Sequence, residues 1–258
     1  PEGRQERRGM GERTYAVIDI ETIPDRELYE PERDAQKREG KSEGTDDAFP
    51  PPWAHRVVVV GVLWLGHDYS FRKIGSVGQT STEESKILRD LAGFMDKEHP
   101  VLVTFNGRRF DLPVLALRSM RHGIPAAWYF WGNNAYRQRF RPEMHIDLCE
   151  ELSDYGSVRR SKLDAVARVV GLPGKFGMDG SQVESEVERG AIEEVRRYCQ
   201  ADVIQTAFVW LRYLLLRDTL GTDAFRSAAT ALRDALAQQP AASEVIERTD
   251  WDRYLLKE

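Results

Sequence analysis

The run Tyr15-Ala-Val-Ile-Asp19-Ile-Glu21-Thr-Ile-Pro24 decides how this chain is read. It is apolar, rich in β-branched residues and closed by a proline, which predicts a buried strand over about 14–20. Successive side chains on a strand point to opposite faces, so Ile18 and Ile20 face one layer while Asp19 and Glu21 project together into the other. Two carboxylates placed this way repel each other unless positive charge lies between them, and a divalent cation meets that need. With 42 acids in 258 residues, an acid-x-acid pair recurs by chance about seven times, so only its place on an apolar strand gives this one weight.

Further ligands would have to come from elsewhere in the chain, and two stretches offer them. Pro100-Val-Leu-Val-Thr-Phe105 reads as another buried strand. It runs through Asn106-Gly-Arg108-Arg109-Phe110 into Asp111, where an amphipathic helix begins and ends near Gly123. Taken by itself, Asp111 followed by Leu-Pro reads first as an N-cap of that helix, and only the context of the other motifs makes it a candidate ligand. A long helix over about 190–217 then carries Tyr198-Cys199-Gln-Ala-Asp202. The i,i+4 spacing puts Tyr198 and Asp202 on one helical face.

Asp-x-Glu on a first strand, Asn-x3-Phe-Asp after a later strand and Tyr-x3-Asp on a late helix resemble, in that order, the motifs of the tyrosine-bearing branch of the DEDD exonuclease superfamily. The likeness extends to His145-Ile-Asp147-Leu, to Leu172-Pro-Gly-Lys175 and to Gly177-Met-Asp-Gly-Ser. The chain is thereby similar, over roughly residues 14–217, to the predicted 3′-to-5′ exonucleases related to the proofreading domain of family B DNA polymerases.

The resemblance implies an α/β ribonuclease H-like fold with a mixed, five-stranded sheet flanked by helices. It implies hydrolysis of single-stranded DNA from the 3′ end with two divalent ions, Mg²⁺ or Mn²⁺. Asp19 would touch both ions, Glu21 and Asp202 would complete the site that activates water, and Asp111 would hold the second ion. Tyr198, a phenol with an ordinary pKa near ~10, would orient the attacking water rather than take its proton. Thr22, Ile23 and Asn106 would meet the strand, Lys175 a phosphate, and Asp147 would stand behind the metal ligands or cap a helix. RNA is the alternative substrate, and a non-catalytic nucleic-acid-binding module is the alternative of a different class. No polymerase domain accompanies these motifs, so proofreading would need a separately encoded partner.

Composition sets the bounds. The net charge of −5 excludes a strongly basic coat, so a nucleic-acid substrate would be held by local clusters. Three such clusters stand out: Arg108-Arg109, the alternation Tyr136-Arg137-Gln-Arg139-Phe140-Arg141, and Arg159-Arg160-Ser-Lys162. Basic residues mixed with aromatics suit a single strand, which needs cations for its phosphates and faces for its bases. The same alternation also serves simply to keep a loop soluble. Cys149 and Cys199 form no metal-binding spacing and read as reduced core thiols. His122, before Gly123, reads as the end of a helix.

No apolar run reaches the ~20 residues of a membrane span, which predicts a soluble, cytoplasmic protein. The organisation expected is a disordered stretch over 1–12, a nuclease domain over 13–217 with a mobile polar loop at 25–48, and a helical extension over 218–258. Strands are also expected at 56–65, 69–74 and 143–149, and helices at 81–97, 161–171 and 222–238.

Overall fold

A computed structural model describes residues 13–29, 50–140 and 143–257. The disorder expected over 1–12, the loop beyond residue 29 and Arg141 lie outside the described residues. Within them, five strands form one mixed sheet: β1 (Tyr15–Pro24), β2 (His55–Leu65), β3 (Phe71–Ser76), β4 (Val101–Thr104) and β5 (His145–Asp147). The order is β3-β2-β1-β4-β5, with the β3–β2 and β2–β1 pairs antiparallel and the β1–β4 and β4–β5 pairs parallel. This is the five-stranded α/β architecture that the resemblance implies.

β1 lies at the centre, and its alternation sorts the two layers. Ala16, Ile18 and Ile20 pack with Ile87, Leu91 and Leu115 of α1 (Glu84–Glu98) and α2 (Asp111–Arg121). α1 starts three residues later than its expected Ser81 cap, and Ser81 Oγ instead accepts from Glu83 N–H at 3.1 Å. α3 (Ala127–Asn134) adds Trp128 to the same layer, and Tyr136, just beyond it, is fully buried there. Val17, with Leu63, Leu65 and Val103, turns the other way. After β5 come α4 (Leu148–Glu151), α5 (Leu163–Val169), α6 (Val183–Glu188) and α7 (Ile192–Leu216).

α7, 25 residues long, is the post against which this second layer is built. Its stretch 203–211 is buried on every side, which explains why the sequence there lacks a polar stripe. Its N-terminal part is amphipathic, and that is where Tyr198 and Asp202 sit.

α8 (Thr222–Leu236), α9 (Ser243–Arg248) and α10 (Trp251–Tyr254) close over α7. Phe225, Leu232, Val245 and Tyr254 share one apolar cluster with Val17 and Phe208, and the Tyr254 hydroxyl donates to Phe208 O at 2.8 Å. Residues 218–257 thus complete the core of the nuclease sheet. Asp25 and Tyr29, in a stretch expected to begin a loop, are packed while 26–28 stay exposed: Tyr29 meets Trp53 edge-on and Asp25 is buried against Arg118. An ion pair inside the protein holds a stretch whose polarity had read as solvated.

Candidate active site

Period-2 alternation sends Asp19 and Glu21 toward α7. The helix comes close because β2 places Gly61 opposite Asp19 in the β1–β2 register. A β-carbon at Gly61 would lie 2.8 Å from Cys199 Sγ and 3.4 Å from Cys199 O, so only glycine admits α7 at this depth. Cys199 Sγ then reaches 3.4 Å from Asp19 O and 3.6 Å from Asp19 Oδ2. One ligand atom each from Asp19, Glu21 and Cys199 lie within 4.8 Å of one another. A register shift follows Glu21, between Glu21 and Thr22, and turns the end of the strand.

Asp111 joins from α2. It is the first residue of that helix, with Phe110 at the cap position, and its buried carboxylate accepts from the Ile20 backbone N–H. The cap reading therefore gives way to a cross-tie toward β1. Asp202 and Tyr198 come from α7, with the Tyr198 hydroxyl donating to the Asp202 carboxylate.

The electrostatics show what this crowding costs. Burial, then the charges of Asp111, Glu21 and Asp202, hold the Asp19 carboxyl well above its usual range. Burial followed by Asp202 and Asp111 does the same to Glu21. Burial pushes Asp111 up to about 7 and Asp202 up to about 6, the latter moderated by the charge of Lys175. Tyr198 is raised by burial and by Asp202, so its hydroxyl keeps its proton. Cys199 is likewise raised and stays a thiol.

The loop between β4 and α2 is fixed by Asp147. Its Oδ1 accepts from Asn106 N–H at 2.8 Å and Cys149 N–H at 3.0 Å, and its Oδ2 from Arg108 N–H at 2.9 Å. Asn106 adopts a left-handed φ of 71°, a conformation asparagine tolerates. Asp147 thus caps α4 and clamps the loop. His145 is buried and held neutral, its pKa lowered to about 3 by burial and Arg108, and its Nε2 lies 2.8 Å from Thr104 Oγ1.

From Asp19, Tyr198 and Asp202 a cleft of about 1410 Å³ runs past Asn106, Arg108, Arg109 and Lys175 to Arg139 and the segment 155–162. Lys175 Nζ lies 3.2 Å from Asp179 Oδ2. Arg139 lines the cleft while donating to Glu150 at 3.0 Å and to Tyr155 O at 2.8 Å. Arg108 lines it too, but its guanidinium is spent on Glu150, at 2.9 Å, and on the carbonyls of Tyr136 and His145.

Three expectations need correction. Arg137 stacks over Tyr129 and Phe130 and does not line the cleft. Tyr136, adjacent, is core, its hydroxyl donating to Pro100 O at 2.7 Å, so it offers no face to a base. Ile23 is packed with Val183, Val195 and Cys199. Thr22 Oγ1, for its part, lies 2.8 Å from His55 Nδ1. Glu150, which no sequence signal singled out, gathers Arg108, Arg139 and Arg160 on one carboxylate.

The sequence profile of one family, described as predicted 3′-5′ exonucleases related to the exonuclease domain of PolB, matches residues 47–257. The matched span takes in Asn106, Asp111, Tyr198 and Asp202, while Asp19 and Glu21 lie before it. Among solved structures the chain is similar to the family B DNA polymerase of the hyperthermophilic archaeon Pyrobaculum calidifontis, at 17% identity and a TM-score of 0.53. That likeness covers 94% of this chain and 28% of the polymerase, so the chain spans less than a third of that protein's length. No curated protein is significantly similar. With the profile covering most of its length, the chain belongs to the family of predicted 3′-5′ exonucleases related to the exonuclease domain of PolB.

Proposed function

We propose that the chain hydrolyses single-stranded nucleic acid from its 3′ end, with DNA favoured, at the cluster of Asp19, Glu21, Asp111 and Asp202. The observation that carries this reading is the convergence of four carboxylates from three separate elements, Glu21 and Asp111 buried and Asp19 and Asp202 half-buried, all with raised proton affinity, which the charge of Lys175 moderates at Glu21 and Asp202. Such a set of hard oxygen donors fits divalent cations, and the four acids would hold them. When bound, Mg²⁺ or Mn²⁺ would supply a water of lowered pKa and would neutralise charge on the phosphate.

The chain's own groups do the rest. Tyr198, protonated and donating to Asp202, positions a water through its hydroxyl oxygen as acceptor and cannot act as its base at neutral pH. Asp147 fixes the loop that brings Asn106 and Asp111 to the cleft. The DNA preference is supported by the likeness to a DNA polymerase, and the sugar is read out by the test.

The test uses 5′-labelled DNA and RNA of one sequence, incubated with protein and Mg²⁺ or Mn²⁺. The expected result is a ladder shortening from the 3′ end, abolished by chelator, with DNA the faster substrate. No product from folded, metal-loaded protein, or shortening from the 5′ end, would overturn the reading, and faster RNA cleavage would reassign the substrate.

A further inference from the structure

A single strand needs cations along its path and surfaces for its bases. The cleft is larger than the ~300–1,000 Å³ pockets that hold small molecules, which leaves room for more than one nucleotide. Seven arginines and lysines line it against three acids, two of which, Asp19 and Asp202, belong to the acid cluster at one end. The remaining length is strongly positive, although the whole chain carries −5.

The positive end is built around Glu150. That buried carboxylate holds Arg108, Arg139 and Arg160, so one negative charge fixes three guanidiniums and two positive charges remain. The chain then turns through two left-handed residues, Asp154 at φ 48° and Tyr155 at φ 53°. Tyr155 donates to Glu151 and accepts from Arg139, which locks the turn. Beyond it, Arg159 and Lys162 are exposed, line the cleft and form no ion pair among the described residues. Val158, 57% exposed, directly precedes Arg159 in sequence and gives an apolar surface at the same wall.

We propose that segment 155–162 is the track for a single strand's phosphates upstream of the bond being cut, with Arg159, Arg160 and Lys162 as contacts and Tyr155 and Val158 as surfaces for bases. Glu150 is a positioning residue that holds the arginine fan open. The proposal rests on the acid cluster being the hydrolytic end, and it moves the strand's path away from Tyr136 and Arg137.

The test measures anisotropy of a labelled twelve-nucleotide oligothymidylate as a function of salt, in an Asp19→Asn background that prevents digestion. Arg159→Gln with Lys162→Gln removes two exposed, unpaired charges and is not expected to disturb folding. It should lower affinity by roughly tenfold at 0.1 M salt and flatten the logarithmic salt dependence by about 1.4, some 0.7 per lost contact. Adding Arg160→Gln should deepen both effects.

Parent affinity and slope in the double variant would overturn the track, and so would a larger loss from Arg137→Gln than from the double variant. Hydrolysis of a small chromogenic phosphodiester by the parent protein checks the acid cluster separately. Its failure would count against that cluster, and the binding slope would still decide the track.

Discussion

Two of the charged clusters inside this fold are built in opposite ways. Between α1, α2 and the segment after β1, Arg118 lies 2.6 Å from both Asp25 Oδ2 and Glu84 Oε2. Glu84 also accepts from Val57 N–H at 2.7 Å and lies 2.7 Å from His122, which ends α2. Burial is the largest single influence and would raise both acids, but Arg118 together with the hydrogen bonds from Glu27 N–H to Asp25 and from Val57 N–H and His122 to Glu84 outweighs it and holds their pKa below the usual range. At the end of β1 against α7, four acids, two buried and two half-buried, have no such ion-pair partner among the described residues and are pushed the other way. A balanced set of buried charges is finished as a structure. An unbalanced one points to a ligand.

The first way to break this contrast is to remove one acid. Asp19→Asn should cost at least ~1000-fold in hydrolysis, yet its metal-free thermal midpoint should equal or exceed that of the parent, because one repelling charge is gone. A lower midpoint would mean that the acids stabilise the fold after all.

The matching change on the other side is Arg118→Leu. It leaves Asp25 and Glu84 buried and uncompensated, which should cost on the order of 3–5 kcal/mol in urea unfolding. The molecules still folded should cleave at the parent rate. If stability is kept and activity lost, the balanced set has a functional role too.

Tyr198→Phe probes the only phenol in the acid cluster. Removing a positioning hydroxyl should lower kcat by about 10- to 1000-fold with little change in KM or stability. Parent turnover across neutral pH would take Tyr198 out of the mechanism.

The smallest effect is the pH dependence, where the two sets have opposite signs. The acid cluster has folded-state pKa values above the unfolded ~4, so the folded state binds more protons. Its contribution is fully present below about pH 4 and is lost as pH rises through about 6 and 7, the values of Asp202 and Asp111. Metal-free stability should therefore decline across that window, less so in Asp19→Asn, and saturating Mg²⁺ should flatten the decline. Asp25 and Glu84 contribute stability above about pH 4 that is lost as pH falls through their lowered values. A metal-free curve that rises from pH 4 to 7 would show that the acid cluster does not titrate in that window.

The sheet and the acids were legible because each depends on short-range periodicity. Alternation on β1 fixed the facing of Asp19 and Glu21, and i,i+4 spacing fixed that of Tyr198 and Asp202. Glu150 was hidden because its three arginines lie 42, 11 and 10 positions away, and the sequence around it carries no local pattern. Tyr136 misled for a related reason. Alternating arginines and aromatics suit a nucleic-acid groove, but they equally describe a short turn that sinks one ring into the core and stacks its neighbour Arg137 on Tyr129 and Phe130. Residues 25–29 show a third limit, since a polar stretch reads as solvated until its distant ion-pair partner is known.

Gly61 has no functional group, yet it sets the gap between β2 and α7. A single methyl there would act as a shim, lifting α7 and carrying Tyr198 and Asp202 away from Asp19 while leaving the chemistry of every acid untouched. If the four acids work together, their cooperation depends on this position as much as on the carboxylates themselves, through thickness alone.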